Sequence, residues 1–204
     1  TLRYDKRGIG KSAISMGEGT LRFDHYIDDA VLWIKKLKAD KRFNKVIVCG
    51  HSEGSLIGMV AAQKEAASAY ISIAGASQSI DQILKKQLAI AIMDSEYYSK
   101  ACLYLDTLKS GKLLTNPDPL LNSLFRPAIQ PYMINWMKYN PSEEIKKLKM
   151  PVCILQGKHD VQVFEENATE LFAAKPTASF RIIDSMNHVL KIADAERQKN
   201  LLTY

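Results

Sequence analysis

Residues 50–54 read Gly-His-Ser-Glu-Gly, between the apolar run 45–49 and an Ala-rich stretch of helical character over 55–67. An apolar strand follows at 69–74, so the segment forms a strand-turn-helix-strand unit, and this implies a parallel sheet. The G-x-S-x-G spelling of the turn makes Ser52 a candidate nucleophile. A serine raised on so tight a corner needs small neighbours, because the backbone there is strained and packs closely. Gly50 and Gly54 are expected to supply them. The helix points its N-terminus at the serine, which favours an anion there and makes the backbone N–H of Glu53 the expected oxyanion donor.

A hydroxyl is a weak nucleophile without a base, and the base in turn needs an orienting acid. Residues 152–157 read as a buried strand ending in Lys158-His159-Asp160, which places Asp160 at the carboxyl edge of the sheet, where such groups collect in open α/β folds. A further strand over 179–184 runs into Ser185-Met186-Asn187-His188 and places His188 beyond the next strand end. Asp184 competes with Asp160 as the acid but belongs to its own strand, so Asp160 is preferred.

With these residues in place the chain resembles the α/β-hydrolase superfamily over nearly its whole length. Asp5-Lys6-Arg7-Gly8-Ile9-Gly10-Lys11-Ser12 resembles the Asp-x-Arg-Gly-x-Gly-x-Ser loop of many members. Residues 157–163 resemble the acid loop and Asn187-His188 the histidine loop. The subgroup it most resembles is the bacterial carboxylesterases and serine-aminopeptidase-like hydrolases. The resemblance implies a mostly parallel sheet flanked by helices, with hydrolase core at 1–76 and 142–204 and a helical lid at 77–141. It also implies truncation at both ends: residues 1–5 read as a strand that three strands and a helix normally precede, and 201–204 stop within the last helix. The loop bearing the second oxyanion N–H would lie upstream, so no residue here is assigned that role.

Within 24–38, Ile27, Val31, Ile34 and Leu37 recur at helical spacing with lysines opposite. Between 77 and 141 the alternation of strands and helices gives way to helical stretches broken at Gly111, Asn116-Pro117-Asp118-Pro119, Pro127 and Pro131. The aromatics of this segment, Tyr97, Tyr98, Tyr104, Phe125, Tyr132, Trp136 and Tyr139, are candidates for lining an acyl pocket, though most aromatics in such helices are core.

Other functions are disfavoured. A P-loop needs glycine where Asp5 stands, and a carboxylate there repels phosphate. A dinucleotide fingerprint at 8–13 should open a helix, whereas residues 14–19 have loop composition, so Asp5 and Arg7 are read as braces of a tight loop. The net charge of +6 is spread over helix faces without interleaved aromatics, which disfavours nucleic acid as partner. His25 reads as a surface or capping residue, His51 as packing beside the nucleophile, and His159 as a loop residue; no metal-ligand spacing and no cofactor is expected. Cys49, Cys102 and Cys153 give no disulfide framework, and Cys49 and Cys153 read as core residues. That pattern is compatible with a reducing, cytoplasmic compartment without fixing one. No apolar run approaches the ~20 residues of a membrane span.

The expected function is a serine hydrolase acting on a small ester or acyl substrate, with Ser52 as nucleophile, His188 as base and Asp160 as its orienting acid. An aminopeptidase or amidase on the same residues is the alternative, with Glu53, Glu96, Glu143 and Glu144 as candidates for an acidic subsite. A non-catalytic hydrolase-like fragment is the reading from a different class.

Overall fold

The computed structural model describes residues 1–13 and 17–204. The loop expected over 14–16 lies outside the described residues. The sheet has four parallel strands in the order β1 (Ile47–His51), β2 (Ala69–Ile73), β3 (Val152–Gly157) and β4 (Ser179–Ile183). Helix α1 (Phe23–Ala39) precedes β1, and α2 (Glu53–Lys64) joins β1 to β2. Helix α8 (Glu165–Ala174) joins β3 to β4, and α9 (Arg197–Leu201) follows β4. Helices α3 (Ile80–Ala91), α4 (Ser95–Lys109), α5 (Asn122–Phe125), α6 (Gln130–Trp136) and α7 (Pro141–Lys146) connect β2 to β3.

Strand alternation divides the sheet into two unlike faces. Val48, Tyr70, Val152, Ile154 and Phe180 pack with α1, α2 and α8 into the core, where Phe172 of α8 stacks on Phe180 at 5.1 Å between ring centres. Helix α2 approaches β1 closely at Gly58, whose absent Cβ would lie 3.0 Å from Val48. The opposite set, Ile47, Cys49, Ile71, Ile73, Cys153 and Leu155, lies outside that core and is half-buried or exposed. Cys49 is thus exposed rather than a core residue, and Cys153 is half-buried. Among the described residues β1 has no neighbour on its outer side. For the same reason residues 1–5 form no strand: without a ladder to join, they lie against α1, where Tyr4 stacks on Trp33 at 5.7 Å.

The apolar stripe of α1 buries Phe23, Ile27 and Ile34, each contributing about 1.5–3 kcal/mol. Its N-terminus docks on the α3–α7 segment. Phe23 stacks on Trp136 with ring centres 5.3 Å apart. Asn135 Oδ1 accepts the Asp24 N–H at 2.8 Å while Asn135 Nδ2 donates to Asp24 Oδ2 at 2.8 Å, and the Tyr139 hydroxyl donates to Asp24 Oδ1. His25 caps the same helix by accepting the Arg22 N–H. Breaks within the segment fall where the sequence places them: Gly111 adopts φ +82° after α4, and Asp118 accepts the Leu120 N–H to start a short turn at Pro119.

Asn135 is one joint between segment and core. Asn135→Ala removes the acceptor for an α1 N–H and one donor to Asp24, and urea unfolding is expected to show a loss of about 1–3 kcal/mol.

Candidate active site

Ser52 occupies the corner between β1 and α2 with φ 55° and ψ −124°, a conformation that L-residues rarely adopt. The corner holds because the Ser52 N–H donates to Ile73 O at 3.0 Å and the Ser52 carbonyl accepts the Ser55 N–H at 2.9 Å. Behind it Ser55 Oγ bonds Tyr70 and Ser72, both at 2.8 Å, in a buried polar knot. Gly50 is required here, since a Cβ on it would lie 2.1 Å from Gly54 O. Gly54 is not: a Cβ at that position meets nothing within 4 Å, so the expectation that both glycines relieve crowding is corrected for Gly54.

Two further loops converge on the serine. His188 Nε2 lies 3.0 Å from Ser52 Oγ, and His188 Nδ1 lies 2.8 Å from Asp160 Oδ2. An ionised carboxylate can only accept, so Nδ1 carries the hydrogen and Nε2 is left to accept the serine hydroxyl. Asp160 and His188 are 5% exposed each, while Ser52 is half-buried and opens to a cavity. Asp160 Oδ1 accepts the N–H groups of Gln162 and Val163, both at 2.9 Å. Asp184, the competing acid, turns to solvent with its side chain 88% exposed.

The histidine loop is fixed from several sides. Asn187, fully buried, accepts the Val189 and Lys191 N–H groups and donates to Asn200 and Thr203. Gly157 lets β3 pass beneath that loop, because a Cβ on it would lie 2.2 Å from Met186 O. His51 packs against His188 at 4.9 Å between ring centres and donates from Nε2 to the His188 carbonyl at 2.7 Å. Burial pushes the His51 imidazole below its ordinary value, with the bond to the His188 carbonyl opposing. His159 bonds the Ala193 carbonyl through Nδ1 at 2.8 Å and so serves its loop.

On the other side of Ser52 the Glu53 carboxylate pairs with Lys6 and accepts the Tyr132 hydroxyl. Burial, reinforced by Glu53, raises the Tyr132 phenol and keeps it protonated. Lys6 belongs to the loop that Asp5 and Arg7 brace: Asp5 Oδ2 accepts the Lys11 N–H at 3.0 Å, and Arg7 pairs with Asp29 of α1. A cavity of about 340 Å³ opens from Ser52 toward the α3–α7 segment, lined among others by Leu56, Ile83, Ile129, Met133 and Trp136. Of the seven candidate aromatics, Tyr132 and Trp136 line it; Phe125 is core and Tyr139 binds Asp24. Among the described residues no three His, Cys, Asp or Glu side chains converge as a metal site requires.

The comparisons with known proteins agree with this architecture. The family model described as serine aminopeptidase, S33, matches residues 1–192. The chain belongs to that family, within the α/β-hydrolase superfamily. It is 23% identical over 203 residues to Esterase EstD of Thermotoga maritima, which covers 93% of this chain and 45% of that protein. The chain therefore spans less than half the length of this curated relative. Est1E of Butyrivibrio proteoclasticus, solved with ferulic acid bound, superposes with a TM-score of 0.60 at 17% identity, over 98% of this chain and 71% of its own. A lipase-esterase related protein of Clostridium acetobutylicum gives 0.56 at 16% identity, over 96% and 79%. The two solved structures share the fold of this chain.

Two consequences of the geometry are measurable. Gly50→Ala should cost about 3 kcal/mol through its clash with Gly54 O, whereas Gly54→Ala, on an open helical position, should gain about 0.5–1 kcal/mol; thermal unfolding of the pair checks both. His51 binds its proton less readily folded than unfolded, so below about pH 6.5 the unfolded chain takes up the proton first and stability falls with pH. In His51→Gln that component of the acid-side slope should disappear from urea midpoints measured across the same range.

Proposed function

We propose that the chain carries the nucleophile, base and acid of a serine hydrolase that cleaves carboxylic esters with short or medium apolar acyl groups. The observation that carries this reading is the unbroken hydrogen-bond chain from Ser52 through His188 to Asp160, opening onto an apolar cavity. Ser52 Oγ attacks the carbonyl carbon while His188 Nε2 takes its proton, and Asp160 orients the imidazole and stabilises its cation. The Glu53 N–H, in the first turn of α2 where N–H groups lack intrahelical partners, donates to the oxyanion. His188 then returns the proton to the leaving alcohol. Water, deprotonated by His188, releases the acyl group and restores Ser52. The helical segment 77–141 serves as a lid that contributes the far wall of the acyl pocket.

The family description raises aminopeptidase action as the second reading. That chemistry needs a carboxylate free to receive the substrate's ammonium group. Among the described cavity residues Glu53 is the charged side chain, and both its oxygens are engaged by Lys6 and Tyr132. Glu143 and Glu144 pair with Lys146 and Lys147 along α7, and Glu96 is exposed at the start of α4. The charge pattern therefore favours an uncharged acyl group.

A fluorophosphonate probe followed by intact mass should label the chain once, and Ser52→Ala, folded by circular dichroism, should not be labelled. Asp160→Asn should slow labelling on the order of 10⁴-fold. With substrates, p-nitrophenyl butyrate should be cleaved with higher kcat/KM than an aminoacyl p-nitroanilide. A folded chain that resists labelling, or equal labelling of Ser52→Ala, would overturn the assignment.

A further inference from the structure

Gln156 lies near the end of β3, four positions before Asp160, and its side chain is fully buried. Its Nε2 lies 3.1 Å from Asp160 Oδ2, 2.8 Å from Val163 O and 3.3 Å from Gly157 O. All three are acceptors, which fixes the nitrogen on that side and leaves Oε1 buried without a partner among the described residues. An orphaned carbonyl is costly, and an apolar side chain of similar length would avoid the cost. The carboxylate that Nε2 touches gives the reason for keeping the amide.

Resting on the triad proposed above, we infer that Gln156 is a positioning residue for Asp160. Two backbone N–H groups hold Oδ1, as described. Oδ2 receives the His188 Nδ1 hydrogen and, from the strand side, the Gln156 Nε2 hydrogen. Four donors thereby fill the four lone-pair positions of an ionised carboxylate. With the amide present, Oδ2 is held even when the histidine side chain moves during proton transfer. Without it, His188 alone holds the oxygen that is meant to hold His188.

The test measures fluorophosphonate labelling rates against pH for the wild type, Gln156→Met and Gln156→Glu. The methionine variant keeps the volume and removes the donor, and should label roughly tenfold more slowly across the range. The glutamate variant introduces a carboxyl whose proton is retained to higher pH by burial and by Asp160 beside it. While protonated it donates to Oδ2 in place of the amide, so labelling should approach the wild-type rate at low pH. As it ionises the donor is lost and a like charge appears, and labelling should fall to or below that of Gln156→Met. A role in packing alone would leave Gln156→Met, which keeps the volume, at the wild-type rate and give the protonated Gln156→Glu no advantage over it. Wild-type labelling by Gln156→Met, or a rate ratio of Gln156→Glu to wild type that does not change with pH, would overturn the inference.

A second measurement needs neither activity nor a variant. In proton NMR of the wild type, the downfield His188 Nδ1 proton should show a nuclear Overhauser contact to a Gln156 side-chain amide proton, because both point at one oxygen. Absence of that contact overturns the positioning role. An unlabelled chain that shows the contact would instead overturn the hydrolase reading and leave the role of Gln156 standing.

Discussion

The close passage of β3 beneath the histidine loop is the constraint on which the site depends. At Gly157 the strand runs so near Met186 O that no side chain fits between them. That approach brings the Asp160 and His188 loops, which are far apart in sequence, within hydrogen-bonding distance at one sheet edge. The backbone bonds His159 N–H to Met186 O at 3.0 Å and Lys158 N–H to Ile183 O at 3.1 Å lock the two loops together. Ser52 arrives from β1, two strands away, and needs only its corner to meet them.

Around this centre two of the polar joints that bind the α3–α7 segment to the core, alongside apolar contact, lie at α1 and at the serine. One is Asp24 with Asn135 and Tyr139, at the foot of α1; the other is Glu53 with Tyr132 and Lys6, beside the serine. Movement of α6 would therefore be transmitted to the residue whose N–H faces the proposed oxyanion. The far side of the sheet is arranged differently. Parallel sheets are ordinarily covered on both faces, and here, among the described residues, the face of Ile47, Cys49, Ile71 and Leu155 is partly open while β1 presents an unpaired edge. Such edges template association with other strands.

Much of this was legible in the sequence because it follows from short-range chemistry. The elbow, the strand ends and the order of Ser52, Asp160 and His188 come from local patterns, as do the breaks at Gly111 and Pro119. The parallel sheet follows from alternation. What was not legible depends on neighbours distant in sequence. Residues 1–5 have strand composition, but a strand exists only with a partner. Cys49 has core composition, but burial depends on what covers its face. Gly54 reads as an elbow residue by spacing, and only the backbone path shows that the space beside it is open. Gln156 did leave a signal, an amide within the otherwise apolar run Val152-Cys153-Ile154-Leu155, though its target could not be named before Asp160 was placed beside it.

The backbone of Ser52 carries a consequence of its own. At φ 55° and ψ −124° any side chain at this position is held at a cost of about 1–3 kcal/mol, from which glycine alone is exempt. Heat resistance and the proposed chemistry therefore pull residue 52 in opposite directions. Selection for thermal endurance alone, with turnover left unmonitored, would drift toward glycine here, and the sturdier protein would have lost the proposed nucleophile.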